Sequence, residues 1–259
     1  VKVGAITSRD NPLLVRLRKL NRDPNGYRKH GEVLIEGEHL CQAFAAAGTP
    51  RHALVSSEAW DEPVLRELAS RAAAVAVVPA ALLAEVSALE SAPPLAFVID
   101  WPGRGSLQPG RASIVLDRVQ DPGNVGSILR SAAAFGFHQV VALAGSAALW
   151  SPKVVRAAMG AHVGLALVEV AAGESLAALD ALEVPAIATS SHADAAIDTA
   201  ELPSPCAWIV GHEGQGVAPE LLARSRAVRI PQPGGQESLN VAVAAALCMY
   251  ESTRRRSAS

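Results

Sequence analysis

Cysteine is scarce in this chain. Cys41, Cys206 and Cys248 are far apart and odd in number, so they suggest neither a disulfide framework nor a zinc site. A reduced, cytoplasmic protein is expected. The seven histidines, at 30, 39, 52, 138, 162, 192 and 212, show no metal-ligand spacing and no triad. Long apolar runs are missing too. Ala72–Ala84 comes nearest and Pro79 interrupts it, whereas a bilayer span needs about 20 residues. The polar N-terminal stretch lacks an apolar leader, so no secretory signal is expected. Charge of one sign is also absent: the net charge is −2, so no global basic field announces a nucleic acid. No repeat with a period of about 20–50 residues appears.

What is present is a foldable composition. The chain has 259 residues, 50% hydrophobic and 19% charged, enough to bury a core in one large domain or two ordinary ones. Charge is uneven locally. Residues 1–30 hold eight basic side chains against Asp10 and Asp23. Arg9, Arg16, Arg18, Lys19, Arg28 and Lys29 are the candidates to meet phosphates; a solvated helix face is the alternative.

Strand-like and helix-like segments alternate along the chain, which indicates an α/β layer arrangement. In the first part, a helix entered at Pro12 is followed by strands at 33–36, 53–56, 75–78 and 95–100, with helices at 38–47, 63–73 and 80–86 between them. Residues 22–31 read as a loop. Trp101–Gly110 contains two Pro and three Gly and is the best linker candidate. Beyond it the alternation restarts, with strands at 113–116, 140–143, 165–170, 186–189, 207–210 and 227–230. This block suits a parallel sheet with helices on both faces. The last residues, from Arg254, read as a solvated tail.

Three stretches follow strands. In L-D-R-V-Q-D-P-G-N-V-G-S-I-L-R-S-A-A-A-F-G (116–136), Asn124 can cap a helix that Gly136 ends. Arg130, about two turns in, can grip a phosphate or carboxylate with two prongs, or simply be a surface Arg. In W-I-V-G-H-E-G-Q-G (208–216), glycines permit close backbone approach and Glu213 can accept from a hydroxyl or pair with an Arg. His212 there is either structural or a ligand contact. In I-P-Q-P-G-G-Q-E-S-L-N-V-A-V-A-A-A-L-C-M-Y-E (230–251), a loop turns into a helix of small residues, with Ser238 as a plausible N-cap. Its free amides suit a negatively charged ligand. Each stretch alone also reads as an ordinary strand-to-helix junction. Together they fit the rule that α/β sheets bind ligands beyond the carboxyl ends of their strands. Neither the dinucleotide fingerprint nor the P-loop is present, which counts against a dinucleotide-dependent oxidoreductase.

With these motifs in this order, residues 112–251 resemble the SpoU-type RNA ribose 2′-O-methyltransferases of the SPOUT superfamily. S-P-K-V-V-R-A-A-M-G-A (151–161) is similar to a recurrent segment of that family. Through I-T-S-R-D-N-P and V-L-I-E-G-E-H-L, residues 5–100 resemble more weakly the small RNA-binding domain, akin to a ribosomal protein fold, that precedes the catalytic domain in rRNA-modifying members. The resemblance implies an α/β protein with a knotted methyltransferase domain at 106–259, built on a parallel sheet and tied as a trefoil, after an RNA-binding domain at 1–105. It implies S-adenosyl-L-methionine as methyl donor, contacted by Gly211, Gly216, Ile230 and Leu239 near the strand end Thr189–Ser190. It implies Asn124, Arg130, Glu213, Ser238 and Asn240 as the polar site residues, and a homodimer formed through the knotted domain. No metal is expected. The sequence departs from the family pattern at Gln232, where Met is usual, at Pro93-Pro94, where a T-P-Q-G-like phrase is usual, and at Arg16, where Lys is common. Ribosomal RNA of the large subunit is the favoured substrate. A tRNA methyltransferase and a non-catalytic RNA-binding protein with the same fold are the alternatives.

Overall fold

The computed structural model describes residues 2–234 and 238–256. Gly235 of the third stretch and the tail beyond Arg256 lie outside the described residues. The chain forms two compact units. One runs to Gly103 and includes Trp150–Val163; the other holds Arg104–Leu149 and the chain from Gly164 on.

In the first unit β1 (Lys2–Ala5), α1 (Pro12–Arg22), α2 (Gly26–His30), β2 (Glu32–Glu36), α3 (Glu38–Ala47), β3 (His52–Ser56), α4 (Pro63–Ala69), β4 (Ala74–Val78), α5 (Ala80–Val86) and β5 (Leu95–Asp100) follow one another. The sheet order is β1-β4-β3-β5-β2. β1, β4 and β3 run parallel, and β5 is antiparallel to both of its neighbours. Asn11 caps α1 by accepting from the Leu13 N–H at 3.0 Å, ahead of Pro12 in the first turn. Leu14, Leu17 and Leu20 form its buried stripe.

The structure departs from the sequence expectation at three places in this unit. β1 is a fully exposed edge strand, with no alternation to betray it. Residues 26–30 form a helix rather than a loop. Tyr27 is buried there, Gly26 lies so close to the Leu20 carbonyl that a Cβ would meet it at 2.7 Å, and Gly31 closes the turn at φ 67°. The helix expected over 63–73 ends at Ala69, where Ser70 turns the chain.

The second block contains β6 (Ser113–Leu116), α6 (Pro122–Phe135), β7 (Gln139–Ala142), α7 (Pro152–Ala157), β8 (Ala166–Glu169), α8 (Ser175–Asp180), β9 (Ala186–Thr189), β10 (Ala207–Val210), α9 (Pro219–Leu222), β11 (Arg226–Val228) and α10 (Val241–Arg256). Of these, α7 belongs to the first unit, where its Arg156 lies 4.0 Å from the buried Glu36. The six strands form one wholly parallel sheet in the order β11-β9-β10-β6-β7-β8. Side chains alternate across it. Val115, Val141, Val168, Ala188 and Ile209 pack with Leu179, Leu182 and Leu221. Trp208, one residue from Ile209 and so turned to the other face, donates its indole N–H to Ser252 of α10 at 2.8 Å. Both faces are therefore covered, as expected for a parallel sheet.

Two caps and the tail need correction. α6 starts at Pro122, and its cap is Asp121, which accepts from the Asn124 N–H at 2.8 Å. Asn124 sits in the first turn instead. α10 starts at Val241, and its cap is Asn240, which accepts from Ala242 at 2.9 Å and Val243 at 3.3 Å. Ser238 lies ahead of the helix. Arg254–Arg256 form the last turn of α10 rather than a solvated tail. Arg254 and Arg255 both bond Glu251, and Arg255 also reaches the carbonyl oxygens of Ile197 and Ala200.

Candidate active site

Because β11, β9, β10 and β6 are neighbours and parallel, their carboxyl ends share one sheet edge. Ile230, Ser190, Gly211 and Asp117 follow them in that order along the edge, and Thr189 is the last residue of β9. The sequence places these residues far apart, and the strand order brings them together.

Glu213 stands in the loop after β10. It accepts from the backbone N–H groups of Gln120 at 3.4 Å and Asp121 at 3.3 Å, and from the Asn124 amide at 3.1 Å. Burial pushes its carboxyl up. Its own backbone N–H, the Asn124 amide and the N–H groups of Asp121 and Gln120 outweigh this and hold it below the ordinary carboxylate value. The carboxylate also faces the positive end of α6.

From Asn124 the chain of bonds continues to α10. Asn240 donates its amide N–H to the Asn124 side-chain oxygen at 2.9 Å, while its own oxygen caps α10. The direction of these bonds is forced. An ionised carboxylate only accepts and backbone N–H groups only donate, so both amides must point their NH₂ groups toward Glu213. Each NH₂ has two N–H groups and uses one in this chain, so each keeps a second donor among the described residues.

The other expected site residues lie outside this chain of bonds. Arg130 is exposed on α6, and Ser238 and Leu239 are exposed ahead of α10; among the described residues no hydrogen bond or ion pair holds the Arg130 or Ser238 side chain. Thr189 donates to the Ile209 carbonyl at 3.3 Å, and the Ser190 N–H to the Val228 carbonyl at 3.0 Å. Gly211 has a structural reason to be glycine, since a Cβ would lie 2.1 Å from the Gly216 carbonyl carbon. Gly216 itself is left-handed, at φ 68°, with nothing within 4 Å of where a Cβ would be.

Of the basic residues at the N-terminal end, Arg9 and Arg18 share Glu85, at 2.8 and 2.7 Å. Arg16 forks onto the buried Glu32, at 2.8 and 3.3 Å, and Lys29 pairs with Asp23 at 2.6 Å. Arg28 lies over the Tyr27 ring. Lys19 is exposed, with no ion pair among the described residues.

Sequence reasoning missed Asp117, Arg118 and Asp121. For Asp121 the signal was there, an Asp-Pro pair at a helix start. For Asp117 and Arg118 it was not, because their partners lie across the sheet edge in the loop after β10.

A methyl donor fits this edge on two observations. The side of Gly216 where a Cβ would stand is open, and the Gln232 side-chain oxygen, buried in the loop after β11, has no hydrogen-bond partner among the described residues. No group of three or more His, Cys, Asp or Glu among the described residues could hold a metal.

A parallel α/β sheet with polar residues gathered at the carboxyl ends of its strands places this chain in the open α/β class, whose members bind ligands there. More particularly, the chain belongs to the SpoU rRNA Methylase family, whose profile matches residues 111–250. It is 33% identical to an uncharacterized tRNA/rRNA methyltransferase of Synechocystis, over 98% of this chain and 95% of that one. It is also 33% identical to the 23S rRNA (guanosine(2553)-2′-O)-methyltransferase RlmP of Bacillus subtilis, over 86% of this chain and 88% of that one. The crystal structure of the SpoU methyltransferase AviRb from Streptomyces viridochromogenes, in complex with the cofactor AdoMet, superposes with a TM-score of 0.86 at 27% identity, covering 96% of this chain and 99% of that one.

Proposed function

We propose that this protein methylates a ribose 2′-hydroxyl of large-subunit ribosomal RNA, using S-adenosyl-L-methionine. The observation that carries this reading is the bond chain Asn240–Asn124–Glu213, which joins three distant stretches of sequence at one sheet edge. When bound, the donor supplies an electrophilic methyl on a sulfonium.

The protein's residues must then hold the attacking oxygen about 3 Å from that methyl and manage its proton. Glu213 is an anchor and not the base: its oxygens already accept from three N–H groups, which lowers their proton affinity. The spare N–H groups of Asn124 and Asn240 orient the ribose. Arg130, with no partner competing for it among the described residues, grips the neighbouring phosphate and stabilises the developing alkoxide. It acts through its fixed charge and its fork of donors rather than as a base; the proton goes to water or phosphate. Ser238 and Leu239 complete the third stretch, and Gly211, Gly216, Ile230, Thr189 and Ser190 line the donor.

In this reading residues 1–105 carry the RNA and residues 106–259 the chemistry. Arg9, Lys19, Arg28 and Lys29 meet phosphates most readily, since exposed ion pairs are weak and easily exchanged. Arg16 and Arg18 are the more firmly held, on Glu32 and Glu85. The reach of α10 from β10 to Ile197 and Ala200 supports the trefoil knot, and the protein works in the cytoplasm as a homodimer. The experiment is methyl transfer to 23S rRNA and to tRNA by the wild type and by Arg130→Ala. The variant is expected to lose at least about tenfold in turnover, roughly 1.4 kcal/mol, with donor affinity unchanged. Transfer to tRNA alone would reassign the substrate.

A further inference from the structure

We propose that Asp117 and Arg118 are positioning residues for this reaction: they clamp the loop 211–218 to the end of β6 and so hold Glu213 against α6. The positioning role rests on the methyltransferase reading; the clamp itself does not.

The need for a clamp is physical. Glu213 touches α6 through bonds of 3.1 to 3.4 Å, on the long side for a charged acceptor. Its loop contains Gly211, Gly214 and Gly216, and glycine adds backbone freedom that must be removed. Inside the loop, His212 and Gly216 exchange backbone bonds of 3.1 and 2.8 Å. These close the loop on itself without fixing it to anything else.

Asp117 and Arg118 provide that attachment. The Asp117 side chain is 5% exposed, and one of its oxygens accepts from the Ala218 N–H at 2.7 Å. Both of its oxygens also receive the Arg118 fork, each at 2.9 Å. Arg118 then donates to the Gln215 side-chain oxygen at 2.9 Å and to the Gly216 carbonyl at 3.3 Å. The loop is thus bonded at 215, 216 and 218 from one strand end.

Two further features fix Arg118. Its backbone is left-handed, at φ 55°, a state a non-glycine residue keeps only where its surroundings enforce it. Its stem also packs against Gly145 after β7, where a Cβ would lie 3.0 Å from the Arg118 Cγ. With its fork committed to Asp117 and the loop, Arg118 is a strut for Glu213 rather than a phosphate ligand.

Arg118→Gly tests this well, because glycine accepts the left-handed backbone while removing the fork. Arg118→Lys, which keeps the charge but lacks the fork, serves if the glycine variant does not fold. Turnover at saturating methyl donor and 23S rRNA is compared for wild type, Arg118→Gly, Glu213→Gln and the double variant. Arg118→Gly is expected to lose about tenfold or more. The double variant is expected to be no slower than Glu213→Gln alone, since there is then no carboxylate left to position. Amide exchange over 211–218 should rise at least about tenfold in Arg118→Gly, an opening of roughly 1.4 kcal/mol less cost. Multiplying losses in the double variant, or unchanged exchange, overturns the proposal. A wild type that transfers no methyl overturns the functional reading and the positioning role with it, and the exchange measurement still decides whether the clamp exists.

Discussion

A carboxylate surrounded by N–H donors behaves differently from one that waits for a proton, and Glu213 belongs to the first kind. Its ordinary value is 4.5 and its surroundings hold it lower, so it is ionised at every pH above that. A depressed carboxyl favours the folded arrangement above its unfolded value and loses that contribution as the pH falls through the folded one. Any rate limb between pH 6 and 9 therefore belongs to another group. Glu213→Gln is expected to lower turnover by about tenfold to a hundredfold and to leave such a limb where it was; kcat measured against pH for both proteins checks this. The glutamine NH₂ can donate back toward Asn124, which removes the direction of the amide chain. At this scale much of the candidate site was legible. Asn124, Glu213 and Asn240 were readable as polar residues beside strand ends, but their mutual bonds were not, because those span about ninety to more than a hundred residues of sequence. Arg118 was invisible as a strut, since nothing in L-D-R-V-Q-D-P announces a left-handed Arg.

Among the elements, α10 shows how local rules and distant partners divide the work. Cap-forming residues at both 238 and 240 make the helix start ambiguous in sequence. Asn240 takes the cap in the structure, where its NH₂ also meets Asn124. The strands were legible because apolar runs between breakers need no partner to be recognised; β1 and α2 were not, because one is exposed and the other depends on Gly26 lying against Leu20 of α1 and Tyr27 meeting the Trp101 ring. The far end of α10 is fixed by the Ser252 bond to Trp208, the Thr253 bond to the Phe135 carbonyl at 2.9 Å, and Glu251. The Arg254 bond lowers the Glu251 carboxyl most; burial opposes it, Arg255 adds to it, and the result is a value of about 2 against an ordinary 4.5. The sign follows: this contribution is fully present above about pH 4.5 and is lost as the pH falls toward 2. Glu251→Gln is expected to cost about 0.5–1 kcal/mol at neutral pH and to flatten the acid side of the stability curve. Urea unfolding at a series of pH values checks both.

For the whole molecule, the composition of α10 argues for a partner. Val241, Ala242, Ala245, Cys248 and Met249 face the interior. Val243, Leu247 and Tyr250 are exposed at 49%, 41% and 51%, and Leu239 just ahead of the helix at 37%. Spacings of four and three residues put Val243, Leu247 and Tyr250 on one stripe of the helix, with Leu239 ahead of it. A helix apolar all round is one whose second face is also covered. In the proposed homodimer that stripe is the seam, and α10 carries Asn240 at its start, so the seam lies on the same element as the polar site. Leu247→Glu would bury a charge against its own copy across a two-fold axis, where like charges meet. Each buried unpaired carboxylate costs several kcal/mol, more than one truncated side chain can offset. The variant is expected to sediment as a monomer at micromolar concentration, where the wild type is expected to sediment as a dimer, while its melting temperature stays that of a folded chain. If Leu247→Glu remains dimeric, the seam lies elsewhere and the stripe needs another partner. If it is a monomer that still transfers methyl at the wild-type rate, one protomer completes the site alone.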